Sequence, residues 1–206
     1  MVLGREPRIN PIPLLELRPT QITVGKREVD AKRKAWRRHP ERERSDFLGK
    51  HLIPVVCGPK EQYYIIDHHH LALALHREGV REVAITVVAD LRRLPRTAFW
   101  IFLDNRGWLH PFDAEGNRRS YARLPRRITD LVDDPYRSLA GELRLRGGFA
   151  KDTTPFSEFL WADFLRRRIG QRLVTQHFGR ALSRALRLAK AEQASYLPGW
   201  CGPSAR

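Results

Sequence analysis

Asp67, His68, His69 and His70 follow one another directly, one carboxylate and then three imidazoles. Such a set suits phosphate-ester chemistry, which needs positioning, charge neutralisation and a group that orients the nucleophile. Asp67 could be that base, or could hold a divalent metal. His69 or His70 could neutralise phosphate charge or move a proton, because an unperturbed imidazole titrates near physiological pH. Asp67, His69 and His70 are therefore the candidate catalytic residues, and His68 a candidate phosphate ligand. As plain structural residues, Asp67 would only cap a helix, and any one imidazole would face solvent or bond a carbonyl.

The flanking residues say how the cluster is presented. Tyr63 to Ile66 is a β-branched and aromatic run that suits a buried strand. Leu71 to Leu75 alternates Leu and Ala and suits a packed helix. Asp67 falls where an N-cap is expected. A strand that turns straight into a helix points backbone N–H groups and a positive dipole end outward, which favours phosphates.

Further positive charge is expected from Lys26 and Arg27, at the start of a basic helix over Gly25–Arg38. Glu28 is a second candidate carboxylate on that helix. Metal chelation is not favoured. His68 and His70 cannot share a helix face, and His69 and His76 are farther apart than i+4. Zinc on Asp67, His68 and His70 at the turn stays a weaker alternative. Cys57 and Cys201 have no ligand spacing.

Other expected strands are Ile12–Leu17, Leu52–Cys57, Gln62–Ile66 and Glu82–Ala89. In the last, Val83, Ile85 and Val87 share one face. His39–Lys50, polar and broken by Pro40, reads as a loop. Helices are expected over residues 69–78, with Gly79 closing the helix, and over Pro95–Leu103. Beyond residue 106 the pattern turns helical, over Pro125–Val132, Tyr136–Leu145, Pro155–Ile169 and Arg172–Ala194. Thr154 and Pro155 look like a helix start. Val174, Phe178, Leu182 and Leu186 look like a buried stripe. The expected fold is α+β: a small mixed sheet with helices over 1–106, and a helical region over 107–206 packed on it.

The chain has 206 residues and a formal charge of +15. Residues 1–105 carry 19 Lys/Arg against 13 Asp/Glu, and residues 106–206 carry 19 against 10, so the excess is not a tail. Such a balance attracts polyanions. Arginine far outnumbers lysine, which fits either nucleic-acid binding or a GC-rich genome. Lys26–Arg44 holds nine Lys/Arg and four Asp/Glu, a solvated face or a phosphate-backbone contact. Met1–Arg8 is polar, with no apolar signal region after it, and no stretch approaches membrane-spanning length. Two cysteines are too few for a disulfide framework, so a cytoplasmic setting is expected.

Two stretches carry a family resemblance. Arg18-Pro19-Thr20-Gln21-Ile22-Thr23-Val24-Gly25 is similar to the N-terminal motif of the ParB-like nuclease branch of the ParB/sulfiredoxin superfamily. Ile66-Asp67-His68-His69-His70-Leu71-Ala72-Leu73-Ala74-Leu75 resembles the superfamily's Asp-Gly-His-His-Arg signature. The resemblance implies a ParB/sulfiredoxin-like fold with a phosphate cradle at this turn, with Gln21 among the substrate-binding positions. It implies a ParB-like nuclease or related phosphate-ester enzyme. Alternatives are a nucleotide-dependent phosphotransferase like the ParB-related serine kinases, taking a nucleotide with Mg²⁺, or a non-catalytic nucleic-acid-binding module. Asp67, His69 and His70 match the signature. His68 replaces its Gly, which would let backbone approach a phosphate. Leu71 replaces its Arg, which would clamp one. No cysteine lies in the turn, which argues against a sulfiredoxin-like reductase.

Overall fold

The computed structural model describes the backbone of residues 6–203 and the side chains of residues 11–203. The polar start read over Met1–Arg8 lies outside the described side chains. The chain forms two compact units, Met1–Val132 and Asp133–Arg206. The boundary falls at Val132 rather than after residue 106 because the intervening stretch buries its apolar side chains in the first unit. Leu109 and Leu124 cluster with Phe99 and Trp100, while Ile128 and Leu131 join Val29 and Leu73.

The first unit is built on a five-stranded mixed sheet. Its strands are β1 (Glu6–Pro13), β2 (Arg18–Pro19), β4 (Ile53–Cys57), β5 (Tyr63–Ile65) and β6 (Glu82–Asp90), in the order β1-β6-β4-β5-β2. A short strand, β3 (Thr23–Val24), lies outside it. β6 runs antiparallel to β1 and parallel to β4, and β5 runs antiparallel to β4 and parallel to β2. Successive side chains of a strand face opposite ways. Ile53, Val55, Ile65, Val83 and Ile85 therefore meet helices α1 (Lys26–Arg38) and α3 (His69–Arg77), with Val87 packed at the margin. Val56, Tyr64 and Ala89 face the other way, towards Phe99, Trp100 and Leu103 of α4 (Arg96–Asn105).

Every side chain from Leu71 to Leu75 is buried. A helix apolar all round must be covered all round. α3 shares its core with the sheet, with α1 and with the turn at Ile128–Asp130. Glu78, just past α3, accepts hydrogen bonds from Arg33 Nε (2.7 Å) and Arg37 Nε (2.6 Å), tying α1 to α3. Gly79 follows at φ +81°, the left-handed step expected after a helix.

The second unit is helical: α5 (Pro135–Leu145), α6 (Ser157–Arg166), α7 (Gln171–Gln176) and α8 (Phe178–Ala189). Trp161 centres its core, stacked on Phe149 at 4.4 Å and donating Nε1–H to the Pro198 carbonyl at 2.8 Å. Asp134 caps α5 by accepting the Tyr136 N–H at 2.9 Å.

Several local expectations change. The first strand ends at Pro13, and Leu14–Glu16 is a 3-10 turn. Residues 41–50, expected as a loop, form helix α2 (Glu41–Lys50). Glu41 and Glu43 in its first turn and Lys50 in its last complement the dipole. Phe47 anchors it, stacked on His51 at 4.0 Å and edge-on to Trp36 at 5.5 Å. Pro125–Val132 is not an α-helix; only Ile128–Asp130 turns, as a 3-10 segment. α6 starts at Ser157 behind a left-handed Phe156 (φ 58°), not at Thr154-Pro155. The last long helix breaks at His177 (φ −134°, ψ 54°). Ala181, Ala185 and Ala189 form the fully buried stripe of α8, and Phe178, Leu182 and Leu186 are half-buried beside it.

Candidate functional site

The turn between β5 and α3 has one unusual backbone residue. His68 is the N-cap of α3 and sits in the left-handed region at φ 65°, ψ 22°. That conformation suits Gly and strains residues bearing a Cβ. His68 therefore keeps the backbone shape that the signature's Gly would give, with an imidazole added. Asp67, expected as the cap, stands one residue earlier, exposed, and its Oδ1 accepts the His68 N–H at 2.6 Å. Among the described residues its carboxylate bonds the His68 N–H and not the first turn of α3.

His68 is half-buried, and its Nδ1 is enclosed with no hydrogen-bond partner among the described residues. Burial lowers its pKa from the ordinary imidazole value. Asp67 and a hydrogen bond to the Leu52 backbone oppose that shift, while Lys32 and His51 add to it.

The next two imidazoles point inward. His69 is 4% exposed, and its Nε2 accepts the Thr20 N–H at 3.2 Å. The ring also bonds the Ile65 carbonyl, which requires the proton on Nδ1. Burial pushes its pKa down to about 4, so the ring is neutral near pH 7. Thr20 Oγ1–H donates to the same Ile65 carbonyl at 2.7 Å. His70 is 7% exposed, and its Nε2 accepts the N–H of Gly25, the N-cap of α1, at 2.9 Å. Glu28 Oε2 lies 3.5 Å from that nitrogen.

Those two bonds join the Arg18–Gly25 stretch to the Asp67–Leu75 stretch and set the first turn of α1 beside that of α3. Glu28 is drawn to this junction, and Lys32 lies 3.9 Å from its carboxylate. Lys26 and Arg27 occupy the exposed first turn of α1. Gln21 is buried, and its carboxamide donates to the Thr23 carbonyl at 2.8 Å. Leu71, in the signature's Arg position, is buried in the core and brings no charge to the turn. Among the described residues, no group of three or more His, Cys, Asp or Glu side chains is placed to hold a metal ion.

His110 escaped the sequence reading, and Thr20 entered it only as part of the Arg18-to-Gly25 motif, without a role. Thr20 anchors His69 through its amide, and its carbonyl accepts the His110 N–H at 2.8 Å. Gln21 pairs with His110 as an isolated parallel bridge. His110 stacks on Phe112 at 4.6 Å. Nearby in sequence, Asp104 accepts Tyr121 Oη–H at 2.6 Å and also binds Arg118. No local pattern marks His110 or the role of Thr20, because their partners lie far along the chain. A separate cavity of about 710 Å³ in this unit is lined by Lys60, Glu61, Asp90 and Arg92 and by none of the expected site residues.

A family profile described as "Putative ParB-like nuclease" matches residues 10–167. The chain belongs to this family. The ParB-like chain is also similar to a solved structure, "Crystal structure of protein Atu1540 from Agrobacterium tumefaciens". They share 54% sequence identity over 96% of this chain and 98% of that one, with a TM-score of 0.90. No curated protein matches it. No helix among the described residues of this ParB-like protein is long and apolar enough to cross a membrane.

Proposed function

We propose that the Asp67–His70 turn binds a phosphate group and that the protein acts on phosphodiesters, as a nuclease or a closely related phosphate-ester enzyme. The observation that carries this reading is the pair of buried bonds, His69 to Thr20 and His70 to Gly25, which sets two helix starts side by side. Two adjacent first turns offer N–H groups and two positive dipole ends to one anion. Lys26, Arg27 and Lys32 add side-chain charge.

In this reading Asp67 is the reacting carboxylate, because it is exposed at the turn. It orients the attacking water or holds a Mg²⁺ that arrives with the phosphate, a metal that needs only one or two protein carboxylates. His69 and His70 are positioning residues, since the Nε2 of each accepts a backbone amide. His68 faces the ligand, and Glu28 orders the junction. A nucleotide-dependent phosphotransferase would use the same cradle.

Asp67→Asn is the test. Wild-type protein is expected to cleave a labelled oligonucleotide or a chromogenic phosphodiester with Mg²⁺. The variant should lose that turnover while keeping its unfolding midpoint. Full turnover by Asp67→Asn would remove Asp67 from the chemistry. A midpoint raised by ATP with Mg²⁺, without cleavage, would favour the phosphotransferase.

A further inference from the structure

We infer that the solvent face of α8, in the second unit, is a nucleic-acid backbone contact distinct from the Asp67 turn. The inference extends the phosphodiester reading and is tested apart from it.

Residues 133–206 contain 13 Lys/Arg and seven Asp/Glu. Asp134 and Asp163 bind Arg166, Glu158 binds Arg137 and Arg144, and Glu142 binds Arg146. These acids are thus tied to α5 and α6. Arg180, Arg184, Arg187 and Lys190 have no acidic partner among the described residues.

Those cations are arranged, not scattered. Arg180, Arg184 and Arg187 stand at i, i+4 and i+7, on one helix face. Helical rise separates them by about 6 and about 4.5 Å along the axis. The face stays outward because the opposite one is pinned by Ala181, Ala185 and Ala189, all fully buried. At its end a concavity of about 530 Å³ is lined by Arg146, Arg187, Lys190, Leu186 and Pro203, with no acidic side chain.

The chemistry of the face selects the partner. The exposed residues of α8 are Gly179, Arg180, Ser183, Arg184 and Arg187. A membrane-surface helix needs exposed apolar side chains to insert, and this face has none. Guanidinium forks match phosphate oxygens in pairs. Adjacent forks separated by single helical turns fit a repeating phosphodiester rather than one isolated anion.

The test compares three full-length proteins: wild type, Arg180→Ala/Arg184→Ala/Arg187→Ala, and a charge-matched control, Arg123→Ala/Arg126→Ala/Arg127→Ala. Alanine suits an exposed helix, so the first variant should fold, and its circular dichroism is the check. Binding to a labelled 30-mer, duplex and single-stranded, is titrated with salt. For every duplex phosphate no longer neutralised, the slope of log affinity against log salt falls by about 0.9. The α8 variant is expected to lose about two to three units of slope and the control less than about one. Equal losses in both variants, or an unchanged slope in the α8 variant, would overturn the inference. So would binding to phosphatidylserine vesicles with none to nucleic acid. Turnover separates the two readings: the α8 variant should still turn over a small chromogenic phosphodiester, and its loss of salt slope is judged against the Arg123/Arg126/Arg127 control alone.

Discussion

The imidazole of His70 holds the backbone amide of Gly25 at 2.9 Å, across 45 residues of chain. One residue earlier, His69 does the same for Thr20 at 3.2 Å. Adjacent histidines thus serve as buried acceptors that fix the loop before α1 to the start of α3. Their first task is architectural, and the cradle they shape depends on it.

Removing either acceptor should be expensive. His69→Ala or His70→Ala leaves a buried N–H without a partner and opens a cavity, a combined cost of about 2–4 kcal/mol. Urea denaturation should show the midpoint falling in both. A shift under about 0.5 kcal/mol would mean that the amides find other partners.

His69 also sets an acid limit on stability. Its pKa is about 4 in the fold against 6.5 ordinarily, because burial disfavours the charged ring. Between these values the unfolded chain takes up a proton that the folded one refuses, so stability is lost as pH falls from 6.5 towards 4. The full effect is about 3 kcal/mol. Glu78, held below the usual carboxylate range by Arg37 and Arg33, adds a loss at still lower pH. Unfolding midpoints at pH 7 and 5 should differ in wild type and differ less in His69→Gln. Parallel slopes in the two proteins would sink this assignment.

His68→Gly should stabilise the chain. The residue sits at φ 65°, where a Cβ costs about 1 kcal/mol or more and Gly costs little. The change also removes an enclosed Nδ1 that has no hydrogen-bond partner among the described residues. A thermal midpoint raised by a few degrees is expected. An unchanged or lower midpoint would show that the imidazole's hydrogen bond to the Leu52 backbone is worth the strain.

Glu78→Ala should loosen α1 from α3. The carboxylate accepts from Arg33 at 2.7 Å and from two nitrogens of Arg37 at 2.6 and 2.9 Å. Arg37 is exposed, so its share is screened and small. The variant should lose about 1–2 kcal/mol, with Arg33→Ala costing more than Arg37→Ala. The reverse order in denaturation would place the clamp on the exposed pair.

The elements whose period is local were legible in the sequence. Alternation in Glu82–Ala89 gave a strand with Val83, Ile85 and Val87 on one face. The apolar run Leu71–Leu75 gave a buried helix, and the Asp-His-His-His turn stands where strand becomes helix. The motif and its neighbourhood were readable because side-chain period and turn chemistry act over a few residues. Helix α2 was not readable, because its one strong anchor, Phe47, takes its meaning from Trp36 and His51. The second-unit stripe was read in part: Val174 is buried and Phe178, Leu182 and Leu186 pack against the core, while Ala181, Ala185 and Ala189 were missed because alanine carries little hydrophobic signal. The roles of the histidines were decided only by tertiary structure. Sequence supplied three ionisable rings. Folding directed two of them inward onto amides 49 and 45 residues away, and burial then lowered the pKa of His69.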